Sequence, residues 1–481
     1  MSWSSPIETP ARGRTGKRRD PGAGVRRAVL IAAAIVLAAC TPDAAPPPGV
    51  EADPPPQRGG APAPETPGVP PSAQADRPGG RAAGPAPEIA AGHPGTRRPA
   101  AGERLVIGIL LPLSGDDGEL GRAMLNGAMM AVFDHAAPDF TYKPYDTGGT
   151  PAGAAAAAER ALGEGARLLL GPLFSDSVSA VAPLAARAGV NVIAFTNDRA
   201  AAGRHVFVLG HRPEPQIRAV VAYAGSRGVR SVAALIPTGR FGAQAAVAAD
   251  SAAWEAGIRL HEIVPYGEDV PSIDRAVRRL ARYDLRKEKL EEYRAGLRAR
   301  EDAESRAILE ALKNRDTMGD VGFDAILVPS GSSPVYAIAA RLPYYDIPSD
   351  RVRALGISTW NRLELRYEPA LQGAWYASPE TELASLFKRR FAGAFGKPPG
   401  PLAALAYDAA AVAALLGRRA EGVDFSAAAL VDARGFEGAS GLFRFRPDGL
   451  SERSYAIMEV GADGVKLVSA ASREFGAPVT N

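Results

Sequence analysis

Cysteine and histidine are nearly absent from this chain of 481 residues, which has one of the former and five of the latter. One thiol excludes an internal disulfide, and without further soft ligands it excludes a thiolate metal centre. His93, His135, His205, His211 and His261 never fall at metal-ligand spacing, so no metal is expected. HExxH, GxSxG, a Walker loop and a dinucleotide fingerprint are all missing. Asp116 and Asp117 are adjacent and read as favourable charge at a helix start, not as an opposed acid/base pair. No catalytic residue, no enzyme activity and no cofactor are therefore expected. Aromatics make up only 7% of the chain and the formal net charge is +3, inflated by arginines near the N-terminus. Neither supplies a basic stacking face, so nucleic acid is not an expected partner.

The lone thiol, Cys40, closes the run Ala28 to Ala39, which follows Arg12, Arg14, Lys17, Arg18, Arg19, Arg26 and Arg27. That run is too short to cross a bilayer, which takes about 20 apolar residues. A basic segment, a short apolar segment and small residues before a cut describe an export signal. Leu37-Ala38-Ala39-Cys40 resembles a bacterial lipobox, which implies acylation of the Cys40 sulfur and a mature chain held on a membrane. The alternatives are an ordinary signal with cysteine at its cut, or a buried free thiol. Thr41 stands where an aspartate would favour inner-membrane retention in the enteric pattern, so the periplasmic face of the outer membrane is the expected location. Residues 1–39 are thus expected as signal peptide.

Residues 40–103 are rich in Pro, Ala and Gly, with stretches such as "DPPPQRGGAPAPETPGVPP" and no apolar period. Such a composition predicts a disordered linker. Roughly 60 residues would reach on the order of 180 Å as stiff polyproline II and about 45 Å as a coil. No later apolar run is long and uncharged enough to span a membrane.

From Arg104 onward, near-continuous apolar runs such as "RLVIGILLPLSG", "ARLLLGPLFSDS" and "VNVIAFTND" alternate with alanine-rich helical stretches. The first helix carries its spacing through Leu120, Met124, Gly127, Ala131 and Phe133. Apolar strands separated by helices predict a parallel sheet covered on both faces, and the alternation restarts at "SVAALIPTGRFG". An α/β protein of two doubly wound lobes with a cleft between them follows.

The ordered elements "VIGILLPLSG", "YDTGGTPAGA", "LLLGPLFSDSVSAVAPLAARAGVNVIAFTND", "VAALIPTGRFG", "FDAILVPSG", "ALGISTWN" and "FEGASGLFRFRPDG" resemble type I periplasmic binding proteins of the leucine/isoleucine/valine-binding kind. The resemblance covers 104–481 and implies lobe 1 at about 104–212 and 378–440, and lobe 2 at about 213–377 and 441–475. Within that superfamily the chain looks most similar to penicillin-binding-protein activators of the LpoA type, outer-membrane lipoproteins that stimulate a peptidoglycan synthase. The long tether and the charged segment Ile273 to Asp316 favour this likeness. The activators' N-terminal helical repeat domain has no counterpart here; proline-rich chain takes its place. The resemblance implies a penicillin-binding protein as partner and a role in cell-wall synthesis. The alternative is a lipid-anchored solute receptor of an ABC transporter for amino acids or related small molecules.

In α/β lobes, ligands sit beyond the C-terminal strand ends, where loop amides and helix N-termini bind anions. The matching positions are Ser114, Ser175, Ser177 and Thr196, with Arg240, Phe241 and Trp360 across the cleft. The same hydroxyls also suit plain helix capping. Trp360, Asn361 and Arg362 stand where an ammonium-binding carboxylate is expected, which disfavours a zwitterionic amino acid. A small anion or cell-wall fragment paired with Arg240, or a vestigial cleft, is expected instead. In the charged segment, Leu290, Tyr293 and Leu297 share one helical face. They make either a partner-docking surface or the packed stripe of a solvated helical excursion.

Overall fold

The structure, a computed structural model, describes residues 105–135, 140–300, 302–331, 333–379, 382–400, 402–418 and 422–475. Cys40, the expected signal and the proline-rich stretch lie outside the described residues. Within those residues no helix is long and apolar enough to cross a membrane.

The first half alternates β1 (Leu105–Leu111), α1 (Gly118–His135), β2 (Phe140–Asp146), α2 (Pro151–Gly163), β3 (Ala166–Leu170), α3 (Ser175–Ala188), β4 (Asn191–Ala194) and β5 (Val206–Val208). The five strands form a parallel sheet in the order β2-β1-β3-β4-β5. β1, "LVIGILL", is buried along almost its whole length, because helices cover both faces of the sheet. Local chemistry sets the helix ends: Thr150 caps α2 by accepting from the Gly153 amide, and Pro151 occupies the first turn.

The second half runs through α4 (Pro213–Ser226), β6 (Ser231–Pro237), α5 (Arg240–Glu255), β7 (Arg259–Tyr266), α6 (Val270–Leu280), α7 (Tyr283–Arg298), α8 (Ala303–Leu312), β8 (Ala325–Leu327), α9 (Ser333–Tyr344), β9 (Arg353–Gly356) and β10 (Trp375–Ser378). It continues with α10 (Glu382–Phe395), α11 (Ala403–Gly417), α12 (Ala427–Leu430), β11 (Phe436–Gly438), β12 (Gly441–Phe445), β13 (Ser451–Arg453), β14 (Ala456–Gly461) and β15 (Gly464–Ser469). The second sheet has the order β15-β14-β10-β9-β8-β6-β7, with β14 and β15 antiparallel at one edge. The expected two-lobed, doubly wound α/β architecture is therefore present, each sheet sandwiched between two apolar clusters.

The chain crosses between the lobes more than once, and its last crossing falls later than expected. Residues 441–453, expected in the second lobe, supply β12 and β13, which form an antiparallel sheet with β11, and Phe443 and Phe445 pack into the first lobe's core with Ile107 and Phe207. Only the hairpin β14–β15 joins the second sheet. In the first lobe α11 lies against α1 so closely that a Cβ on Gly127 would stand 2.1 Å from the Ala403 carbonyl oxygen. Glycine is required there by the approach of the two backbones.

Phe133 does not share the buried face of α1: it is 81% exposed. Residues 120, 124, 127 and 131 follow the helical period, whereas 133 falls two residues past the stripe. The charged excursion is also shorter than expected. Ile273, Val277 and Leu280 belong to α6, which covers the second sheet. The added piece is the helix pair α7–α8, in which Asp302 caps α8 by accepting from the Ser305 amide. Leu290 and Leu297 are fully shielded within this lobe, so they form no docking surface; only Tyr293, 39% exposed, reaches solvent. Their narrow stripe is used up in packing α7 itself.

Candidate functional site

The C-terminal ends of β3, β4, β6 and β9 open onto a cleft of about 990 Å³. Its first wall comes from the loop after β3 and the start of α3, with Leu173, Phe174, Ser175, Asp176 and Ser177, and from Phe195, Thr196 and Asn197 after β4. Phe241, Ile357, Ser358, Thr359, Asn361 and Arg362 face it from the second lobe. His211, Gln216, Ala439 and Ser440 line the cleft beside the lobe crossings, and Phe387 and Lys388 of α10 also border it. The rings of Phe174, Phe195, Phe241 and Phe387 make much of the lining apolar.

Ser175, Ser177, Thr196 and Phe241 thus lie on one cavity. Ser175 is not a cap: the N-cap of α3 is Phe174, which offers no side-chain hydrogen bond, so the first-turn amides face the cleft end uncapped. The Ser177 hydroxyl is buried without a hydrogen-bond partner. The Thr196 hydroxyl accepts from the Asp198 amide at 3.1 Å.

Two of the expected cleft residues sit elsewhere. Ser114 does not line the cavity; its amide donates to Asp146 Oδ1 at 3.2 Å, beside the amides of Leu113 and Gly148. The Ser114 hydroxyl first, and those amides with it, hold the Asp146 carboxyl below the usual range. Trp360 is 1% exposed and packs in the second lobe's core against Tyr376. Its ring lies over Gly356, where a Cβ would come within 2.3 Å of it.

Arg240 also departs from expectation. It stands at the first turn of α5, whose N-cap Gly239 has no side chain to offer, and it reaches across the cleft to the first lobe. One guanidinium nitrogen donates to Asp198 Oδ2 at 2.8 Å and to Ser175 Oγ at 3.1 Å, with Asp176 at 3.8 Å. One turn on, Gln244 donates to Asp198 Oδ1 at 2.8 Å. Burial pushes the Asp198 carboxyl up, but the Ala200 amide, Arg240 and Gln244 outweigh that and hold it below the ordinary value. The cation expected to meet a ligand anion is already paired with a carboxylate of the same chain.

Asp198, in "FTND", and Gln244 are not among the residues expected from the sequence. The missing signal was the partner: Arg240 lies 42 residues further on, in the other lobe. A second polar group under the cleft is also unexpected. Asp408 and Arg453 are buried 3.8 Å apart, and Arg453 donates at 2.7 Å to both the carbonyl and the hydroxyl oxygen of Ser440. Burial pushes the Asp408 carboxyl up to about 6, against the pull of Arg453 and Ser440. His211, at the first crossing, is held well below its ordinary value by burial and by Arg453, so its imidazole is neutral. Its Nδ1 has no partner.

A protein-family model described as "Periplasmic binding protein" matches residues 105–283. Among solved structures, an ABC transporter substrate-binding protein from Sphaerobacter thermophilus superposes with a TM-score of 0.57 at 18% identity, covering 76% of this chain and 97% of that one. An ABC transporter substrate-binding protein from Desulfitobacterium hafniense in complex with Leu gives 0.52 at 16% identity, over 76% and 100%. A solute-binding protein of an ABC transporter from Rhodopseudomonas palustris BisB5, in complex with 3,4-dihydroxybenzoic acid, gives 0.52 at 15% identity, over 77% and 97%. An uncharacterized protein from Rickettsia prowazekii is 24% identical over 179 residues, which is 37% of this chain and 48%, or about half, of that relative. At these identities the likeness establishes the fold, that of a type I periplasmic binding protein.

Proposed function

We propose that the chain is an envelope lipoprotein that regulates cell-wall synthesis by binding and activating a penicillin-binding protein. Acylation at Cys40 would hold it on the periplasmic face of the outer membrane, and the proline-rich stretch would give the two-lobed domain its reach. The observation that carries this reading is the clasp of Arg240 and Gln244 on Asp198. A solute receptor uses its ligand to join the lobes; here the chain's own charges bias them together, which suits a body that meets a protein without needing a bound solute. Co-purification from detergent-solubilised envelopes tests the assignment. Recovery of a bifunctional peptidoglycan synthase with the tagged, lipidated chain is expected. Recovery of an ABC permease instead would overturn it.

One observation favours a second reading, a lipid-anchored solute receptor. The phenylalanine-lined cleft keeps unpaired polar atoms at Ser177 Oγ and His211 Nδ1, and no carboxylate on its second-lobe wall. That lining suits an apolar or aromatic carboxylate better than an amino acid with its ammonium. A thermal-shift series with aromatic acids, aliphatic acids, amino acids and muropeptides separates the two. A rise in Tm with the acids supports the receptor; no rise with any of them supports the regulator.

A further inference from the structure

A second cavity, of about 480 Å³, opens at the opposite edge of the second sheet. Ser231, Arg259, Asp324 and Val352 lie at or just before the starts of β6, β7, β8 and β9, so the cavity faces away from the cleft at the C-terminal strand ends. Four arginines line it, Arg230, Arg259, Arg286 and Arg351, together with Asp320, Asp324 and Asp346. Every carboxylate is engaged. Asp324 accepts from the amides of Arg230 and Ser231 and from the Ser231 hydroxyl. Asp320 takes Arg351 at 2.7 Å. Asp346 takes Arg286 at 3.3 Å, as well as the Thr317 hydroxyl.

Arg286 is a fixed floor: its guanidinium also donates to the carbonyls of Gly319, Ala281 and Asp346. Among the described residues Arg230 and Arg259 have no carboxylate partner, and Arg259 donates to the Gly322 carbonyl. His261, whose Nε2 is buried without a partner, is held below its ordinary value by burial first and then by Arg282 and Arg259. A concave site in which Arg230 and Arg259 face the opening without a carboxylate partner, beside a polar Ser231, is suited to bidentate recognition of carboxylates.

We infer that this cavity is a second binding site, independent of the cleft, for a multiply charged carboxylate held between Arg230 and Arg259. The carboxylates come either from a small polycarboxylate or from an acidic segment of a protein partner, and the chemistry is shared. Because α7 supplies Arg286 to the floor, the helix pair α7–α8 contributes to recognition through its base, not through the buried stripe of Leu290 and Leu297.

Calorimetric titration of the full chain with citrate and with a tetraglutamate peptide, at low and at raised ionic strength, tests this. Binding that weakens with salt and falls at least roughly tenfold in the double variant R230A/R259A is expected. Binding of both probes points to a small polycarboxylate, and binding of the peptide alone to a protein segment. Two results would overturn the site: neither probe binds, in which case the arginines serve only the nearby helix C-termini, or the double variant binds as tightly as the parent chain. Both side chains are exposed, and an unchanged Tm in the variant excludes misfolding as the cause of lost binding.

Discussion

Asp408 shows what a single buried carboxyl does to stability. In the folded chain it keeps its proton up to about pH 6, whereas an unfolded aspartate releases it near ~4. Folding therefore takes up a proton between those values, and stability falls as pH rises through that window. The loss is on the order of 2–3 kcal/mol, and below the unfolded value the term vanishes because both states are protonated. Asp408→Asn should abolish this slope in urea denaturation series run across that range, while lowering stability overall by leaving Arg453 without its charge partner. A variant that retains the full slope would assign the proton uptake to another group. Trp360 teaches a different lesson at the same scale. A tryptophan in a strand-end loop reads identically in sequence whether it faces a ligand or the core. Its place is decided by Gly356, which leaves room for the ring, and by Tyr376 on the adjacent strand.

Elements were more legible than residues because their signals are local. The apolar runs of β1, β3, β4 and β6, the capping threonine of α2 and the stripe of α6 all lie within one window of sequence. What failed was the assignment of faces and crossings, which long-range packing decides. Residues 441–453 turn back to the first lobe because Phe443 and Phe445 find Phe436 and Phe207 there. For α7 the same apolar spacing could serve a partner or the helix's own packing, and burial selects the second. Leu290→Ala is accordingly expected to cost about 2–4 kcal/mol, with Leu297→Ala similar, while Tyr293→Ala stays within about 0.5 kcal/mol. Thermal or urea unfolding checks the contrast. Equal, small losses at all three positions would return the stripe to solvent and to a partner.

At the scale of the whole molecule, the clasp of Arg240 and Gln244 on Asp198 ties the start of α5 in the second lobe to the loop after β4 in the first. Arg240 is 64% exposed at its side chain, so the pair is screened and acts as a bias, not a lock. In Arg240→Ala, small-angle scattering should show a larger mean radius of gyration, and raised salt should move the parent chain the same way. An unchanged radius in both cases would mean that other contacts hold the lobes. Such a cross-lobe pair cannot be read from sequence, since its members are ordinary loop and helix-start residues until the fold brings them together. The most direct measurement of the central claim is the rate of glycan polymerisation by a purified bifunctional penicillin-binding protein, with and without the lipidated chain in the same liposomes. The account predicts acceleration in the absence of any added solute; no change in rate, together with a cleft that binds an organic acid tightly, would contradict it.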